Sequence, residues 1–320
     1  RLLESLTRNP LMGLLVGVVF TMIIQSSSAT TVMVVGFVNA GLLDLMQATG
    51  VILGANIGTT VTAWIVAGFQ ATAFMPLVLL IGVAMMMFLK KLKLQRIGQV
   101  IAGFGMLFVG MGMMSDAMKP LAESAEFARL MTAFSNPIMA LLVGVAVTAI
   151  IQSSSASVGI LEMLAIQGLV PLETSLYIIM GTNIGTCVTA MLSAVGATRT
   201  AKRAALIHLM FNVLGTLVVF ILVSLLPVST WIGHISGPAL QIAVAHKVFE
   251  VLCFVLLRKW LVKLVMILVP GEDKQGEGKS LKFLDDRILS TPPIAVAQIC
   301  KEIERMEHVV ETLAKEWRAM

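Results

Sequence analysis

The segment NPLMGLLVGVVFTMIIQSSSATT at residues 9–31 returns as NPIMALLVGVAVTAIIQSSSASV at 136–158, a displacement of 127 residues. The same displacement relates GANIGTTVTA (54–63) to GTNIGTCVTA (181–190), and 28 of the 55 aligned positions from 9 to 63 are identical. No residue is inserted between the two motifs, so the halves are a duplication, and a repeat constrains the architecture before any local feature does. Each copy sets a polar tetrapeptide, Gln-Ser-Ser-Ser, into an otherwise apolar run.

Of the 320 residues, 58% are hydrophobic and 13% charged, and the mean hydropathy is +0.93. Soluble domains carry roughly 25% charged residues, so a soluble fold is excluded. Apolar stretches recur at 11–24, 29–38, 49–68, 74–89, 97–114, 137–151, 156–166, 174–196, 203–227 and 237–269. Several approach the ~20 residues that span a bilayer, and several fall short. The net charge of +5 does not point to nucleic acid, because the basic residues flank apolar segments without interleaved aromatics. Cys187, Cys253 and Cys300 match no metal or disulfide spacing and read as small packing residues. The chain opens at Arg1 without a charged region leading to a cleavage site, so a trimmed start is expected rather than a signal peptide.

Charge sets the topology. If 11–38 is a hairpin whose ends lie on one side, followed by crossings at 49–68, 74–89 and 97–114, an odd number of crossings inverts the second copy. Arg1, Arg8, KKLKLQR (90–96), TRTAKR (198–203), Arg258, Lys259 and Lys263 then share one face. The opposite loops 69–73 and 228–236 have no Lys or Arg, and in 115–136 Lys119 and Arg129 are outnumbered by Asp116, Glu123 and Glu126. The basic face is cytoplasmic by the positive-inside rule. A continuous helix over 11–38 would give parallel copies and cancel the basic bias across the membrane. The run 11–24 is also short for a core of roughly 30 Å, which favours a re-entrant hairpin with the tetrapeptide at its tip.

A tip at mid-membrane leaves helix-end N–H and C=O groups without partners, which is tolerated only inside protein or a hydrated cavity. The second arm would point its free N–H groups and positive dipole end at the tip. Serine hydroxyls and the glutamine amide add neutral donors, which suits an anion that must bind and leave. Taken singly, such a tetrapeptide reads as a helix-packing or capping element. Two copies in inverted repeats would meet near the midplane, where transporters of this design bind substrate and ions. The motif Gly54–Thr60 and its copy Gly181–Cys187 carry two glycines that would let a spanning helix unwind. Its Asn, Thr and carbonyl oxygens would suit sodium. The competing reading is a glycine-lined close helix contact.

At these residues the sequence resembles the sodium-phosphate cotransporter family, the type II Na/Pi symporters and their bacterial relatives, over about 1–270. The likeness rests on the paired QSSS (25–28, 152–155), the paired G-x-N-I-G-T (54–59, 181–186), RAALIHLMFN with His208 and Asn212, and AVAHKVFE with His246 and Glu250. Bacterial relatives usually show Asn where this chain has Glu250. The resemblance implies phosphate at Gln25, Ser26, Ser27, Ser28, Gln152, Ser153, Ser154 and Ser155. It implies sodium at Gln25, Ser28, Gln152 and Ser155, with Asn56, Thr59, Asn183 and Thr186 added from the second motif. His208 and His246 read first as buried packing histidines and second as coupling residues. Glu162, opposite Val35 of the first copy, is either a functional carboxyl at membrane depth or the end of an arm reaching the hydrated interface.

From Pro270 the composition turns polar, GEDKQGEGKS being linker. Thr291 and Pro292 read as an N-cap and first-turn proline. After them Ile299, Ile303, Met306, Val310, Leu313 and Trp317 form one apolar stripe. Similar bacterial relatives carry a PhoU-like helical domain here, and the chain is expected to stop inside it. A coiled-coil homodimer through the stripe is the competing expectation.

The expected fold is therefore all-α and polytopic. It has two inverted repeats, each a re-entrant helical hairpin plus three transmembrane helices, and a cytoplasmic helical tail. Repeat 1 is 1–127, repeat 2 is 128–270, the linker is 271–290 and the PhoU-like start is 291–320. The expected function is sodium-coupled symport of inorganic phosphate by alternating access in the inner (plasma) membrane. Sodium is the coupling ion, with no other cofactor, and the lipid bilayer is the surrounding partner. The rivals are a phosphate-sensing scaffold with the tail as output, the same fold carrying arsenate or sulfate, and a membrane serine hydrolase. The last is disfavoured because neither tetrapeptide has a nearby His or Asp to act as base.

Overall fold

In both copies an asparagine-proline pair starts the first arm. Asn9 and Asn136 accept from the backbone N–H groups of Leu11 (3.0 Å) and Ile138 (2.9 Å), with Pro10 and Pro137 in the first turn. The missing proline N–H is one the helix start could not have used. A computed structural model of the chain describes residues 7, 9–68, 74–122, 124, 136–271, 301, 303, 304 and 307. Its helices are α1 (Pro10–Ile24), α2 (Ser27–Asn39), α3 (Leu45–Gly68), α4 (Met75–Phe88), α5 (Leu92–Ala122) and α6 (Pro137–Ile151). They continue with α7 (Ser154–Ile166), α8 (Leu172–Gly185), α9 (Cys187–Ser193), α10 (Arg199–Leu225), α11 (Val228–Gly233) and α12 (Pro238–Leu268). No strand occurs among the described residues.

Residues 1–271 and 272–320 form two separate compact units, and α1 to α12 all belong to the first. The tail helix expected at 291–320, with its apolar stripe and Cys300, lies outside the described residues except at four positions.

The continuous-helix alternative fails at Gln25. Gln25 and Gln152 adopt the left-handed conformation, with φ 58° and 59°, and are the only non-glycine residues among those described with positive φ. Each ends one arm, and the next residue starts another by capping it: Ser26 accepts from Ala29 N–H (3.1 Å) and Ser153 from Ala156 N–H (3.2 Å). The arms have 15 and 13 residues, at most ~22 Å of helix, too short to cross the hydrocarbon core.

Among the described residues four helical runs are long and apolar enough to cross: Leu45–Gly68, Leu92–Ala117, Leu172–Ser193 and Arg199–Leu225. The stretch 74–89, expected as a crossing, forms α4, which has only 14 residues. α12 has 31 residues and carries His246, Lys247, Glu250, Arg258, Lys259 and Lys263.

One expectation fails in the first copy. α3 runs unbroken through Gly54–Thr60, so these glycines do not unwind it. A Cβ at Gly58 would lie 2.7 Å from Val18 O and one at Gly185 2.6 Å from Val145 O. At Gly54 and Gly181 it would overlap Leu14 O and Leu141 O, and Gly17 and Gly144 meet Val51 O and Ile178 O in the same way. Small residues on both partners bring backbones into contact, the usual device where no water drives helices together. α1 is thereby locked to α3 and α6 to α8. In the second copy the helix is interrupted at Thr186, inside the motif, before α9 begins at Cys187.

The interior is filled by Leu53, Tyr177, Met180, Ile207, Phe211, Phe249 and Cys253, contributed by α3, α8, α10 and α12. Leu15, Ile23, Leu80, Phe88, Val100 and Ile150 face outward and are exposed. Such a surface is a liability in water and matches the solvent in a bilayer. The chain is an integral membrane protein.

Candidate functional site

The tetrapeptides divide separate tasks among their four residues. Gln25 Nε2 donates to Met22 O (2.6 Å), satisfying a carbonyl left over at the end of α1, and Thr62 Oγ1 donates to Gln25 Oε1. Gln152 repeats both bonds, to Ala149 O and from Thr189 Oγ1. Each glutamine clasps a tip to the helix beyond the second motif. Ser26 and Ser153 are caps. Ser27 and Ser154 are buried and turn into one central cavity. Ser28 and Ser155 are half-buried, and Thr62 Oγ1 lies 3.3 Å from Ser155 Oγ, linking the tips of the two copies.

Ser27 and Ser154 share that cavity with Asn56 and Thr59 of α3, Asn183 and Thr186 of the second copy, Asn212 of α10 and Glu250 of α12. Six of the residues singled out in the sequence thus converge, whereas Gln25, Ser26, Ser28, Gln152, Ser153 and Ser155 stand around them. The volume of about 10 Å3 holds about one water-sized particle.

Hydrogen bonds decide what the walls offer. Thr59 Oγ1 donates to Ala55 O (3.1 Å) and Thr186 Oγ1 to Thr182 O (2.9 Å). Their protons are committed to their own helices, so both hydroxyls present lone pairs to the cavity. Asn212 Nδ2 donates to His208 O (2.9 Å), which turns its Oδ1 to Asn56 Nδ2 (3.2 Å). Asn56 Oδ1 therefore faces His208 Nε2 (3.1 Å), and the network assigns the proton to that nitrogen. His246 Nε2 stands 3.2 Å from Asn183 Oδ1. Both histidines are buried and each orients the asparagine of one copy. The two threonine hydroxyls are thus acceptors and Asn183 Nδ2 is buried without a hydrogen-bond partner, while the first turns of α2 and α7 bring N–H groups and the positive ends of their dipoles to the tips.

The Na+/Pi-cotransporter family model matches the chain over residues 1–116 and again over 109–235. The chain belongs to the Na+/Pi-cotransporter family. Among relatives, the uncharacterized protein YqeW of Bacillus subtilis is 35% identical over 83% of this chain and 87% of its own length. YjbB of Escherichia coli, named for inorganic phosphate export, is 28% identical over 98% of this chain, which spans 58% of YjbB's length. The sheep sodium-dependent phosphate transport protein 2A is 47% identical over 68 residues, 21% of this chain and 11% of its own. No solved structure matches. Membership in a transporter family sets the hydrolase reading aside.

In this member of the family the sequence motifs miss two cavity residues as ligands, Asn212 and Glu250. A signal for them exists: HLMFN (208–212) and HKVFE (246–250) both place His, Phe and a polar residue at i, i+3 and i+4, on one helix face. Phe211 and Phe249 are both buried, and His208 and His246 both reach a motif asparagine. Glu162 is fully buried, with both carboxyl oxygens lacking a hydrogen-bond partner. That removes the hydrated-interface reading, and Glu162 does not line the cavity. Cys187 and Cys253 are buried and free.

Proposed function

We propose that the chain is a sodium-coupled inorganic phosphate symporter working by alternating access, with its two copies inverted in the membrane and their hairpins re-entrant from opposite faces. The observation that carries the reading is that Ser27 and Ser154, from tips 127 residues apart, enter one cavity that Thr59, Thr186, Asn56 and Asn183 also line. Phosphate sits between the tips, accepting from the two serines and the N–H groups that start α2 and α7. Sodium sits on the lone pairs of the threonines and asparagines. The partition follows donor against acceptor chemistry, and broken-helix transporters bind anion and cation in the same way. A buried phosphate unaccompanied by cations would cost on the order of tens of kcal/mol, which is the physical reason for coupling. A cavity of about 10 Å3 is too small for phosphate, so the tips separate to admit it and close around it. The basic face is cytoplasmic, in the inner membrane, with the tail on that side.

Uptake of radiolabelled phosphate into proteoliposomes, with and without an inward sodium gradient, tests the proposal. Sodium-independent uptake overturns the coupling. Failure of phosphate to outcompete arsenate and sulfate overturns the substrate. The name of YjbB favours a second reading, export, which efflux from phosphate-loaded vesicles under a reversed gradient distinguishes.

A further inference from the structure

We propose that Glu250 is the charged ligand of the sodium site, so that this chain binds one sodium ion in the absence of phosphate. The inference rests on the sodium-coupled reading above and goes beyond it, because a site of neutral oxygens alone holds a cation poorly until the anion joins it.

Glu250 is 1% exposed, lines the central cavity, and its Oε2 has no hydrogen-bond partner. Among the described residues no lysine or arginine lines the same cavity. Lys247, three residues away, lies over the Trp64 ring at 5.3 Å instead. His246 Nε2 is 3.9 Å from Glu250 Oε1 and closer, at 3.2 Å, to Asn183 Oδ1. A buried carboxylate without a fixed counter-charge is expensive and calls for a mobile one. The oxygens around it suit a cation. Thr59 and Thr186 have already donated their protons, and the space admits one particle of water size. One carboxylate balances one monovalent ion, whereas calcium sites recruit several oxygens more and magnesium retains its waters. The partner position across the cavity, Asn212, has its amide bound to His208 O and Asn56. The charge therefore belongs to the α12 side alone.

The test is equilibrium binding of radiolabelled sodium to the purified full chain in detergent, free of phosphate and balanced with choline. Wild type should bind sodium saturably, and Glu250→Gln should weaken binding about 10-fold or more, since a buried charge loses its partner. Glu250→Asp should retain binding. Wild-type affinity in Glu250→Gln overturns the inference, because glutamine mimics a neutral, protonated acid. Should Glu250→Gln not yield a monodisperse protein, the wild type decides: no saturable sodium binding without phosphate overturns the inference. Phosphate uptake that follows the sodium gradient alongside unaltered sodium affinity in Glu250→Gln sinks this inference only. Sodium-independent uptake sinks the symporter reading beneath it.

Discussion

Replacing Gly185 by alanine tests whether the motif glycines serve packing. The added Cβ would stand 2.6 Å from Val145 O, 2.8 Å from Thr148 Cβ and 3.1 Å from Ala149 N, where ordinary contact starts at 3.4 Å. α6 must retreat from α8 by about 0.8 Å, and two of the three obstructing atoms are backbone, so rotamer changes cannot absorb the overlap. Overpacking of this kind costs about 1–3 kcal/mol. The displacement also reaches the site, because α6 carries Gln152 and the Gln152–Thr189 clasp sits beside Thr186. The expected result is a lower melting temperature in a thermal-shift or heated size-exclusion assay, together with reduced phosphate uptake. Gly181→Ala should be worse, since its Cβ overlaps Leu141 O. Gly159→Ala on α7, with nothing within 4 Å, is the control and should be neutral or stabilising by up to about 1 kcal/mol. Equal stability of Gly185→Ala and Gly159→Ala would refute the close-contact role. It would restore the idea that these glycines let the helix open.

Ser27→Ala and Ser154→Ala each remove a buried hydroxyl from the cavity and should raise the phosphate KM about 10-fold, in line with ~1–3 kcal/mol for a lost buried partner; unchanged KM in both would displace phosphate from the tips. Thr59→Val and Thr186→Val keep the shape and delete the lone pairs, so half-maximal sodium for uptake should rise while phosphate KM at saturating sodium stays put. A shift in phosphate KM alone would reverse the partition of the site. Glu162→Leu removes a buried carboxyl that has no partner, so stability in the thermal assay should be unchanged or higher, with uptake within about twofold of wild type because a residue outside the cavity is expected to leave transport intact. A well-folded Glu162→Leu with abolished uptake would place Glu162 on the transport path.

Several features were legible before any coordinates. The Asn-Pro starts, the break at Gln-Ser and the pairing of motifs at one displacement are local or repeat signals, and the helices obey them at residue level. In the first copy the glycines misled because one pattern serves two ends. Gly-x-x-x-Gly permits both unwinding and close approach, and only the presence of Gly17 and Gly144 on the facing helices selects the second. Gln25 and Gln152, expected among the ligands, spend both ends of their amides on the clasp. That choice depends on Thr62 and Thr189 lying across from them. Asn212 and Glu250 escaped because α10 and α12 have no motif in common with the tips.

The sequence by itself determined that the chain is duplicated, membrane-embedded and broken at two polar tips, because repeat displacement, apolar length and charge bias are properties of order along the chain. Tertiary structure alone decided which polar atoms share the cavity and which way their protons point. Ser27, Thr59, Ser154, Thr186 and Glu250 are scattered across more than two hundred residues. Their meeting depends on glycine-mediated contacts that set helix spacing, and on hydrogen bonds within each helix that leave lone pairs facing inward.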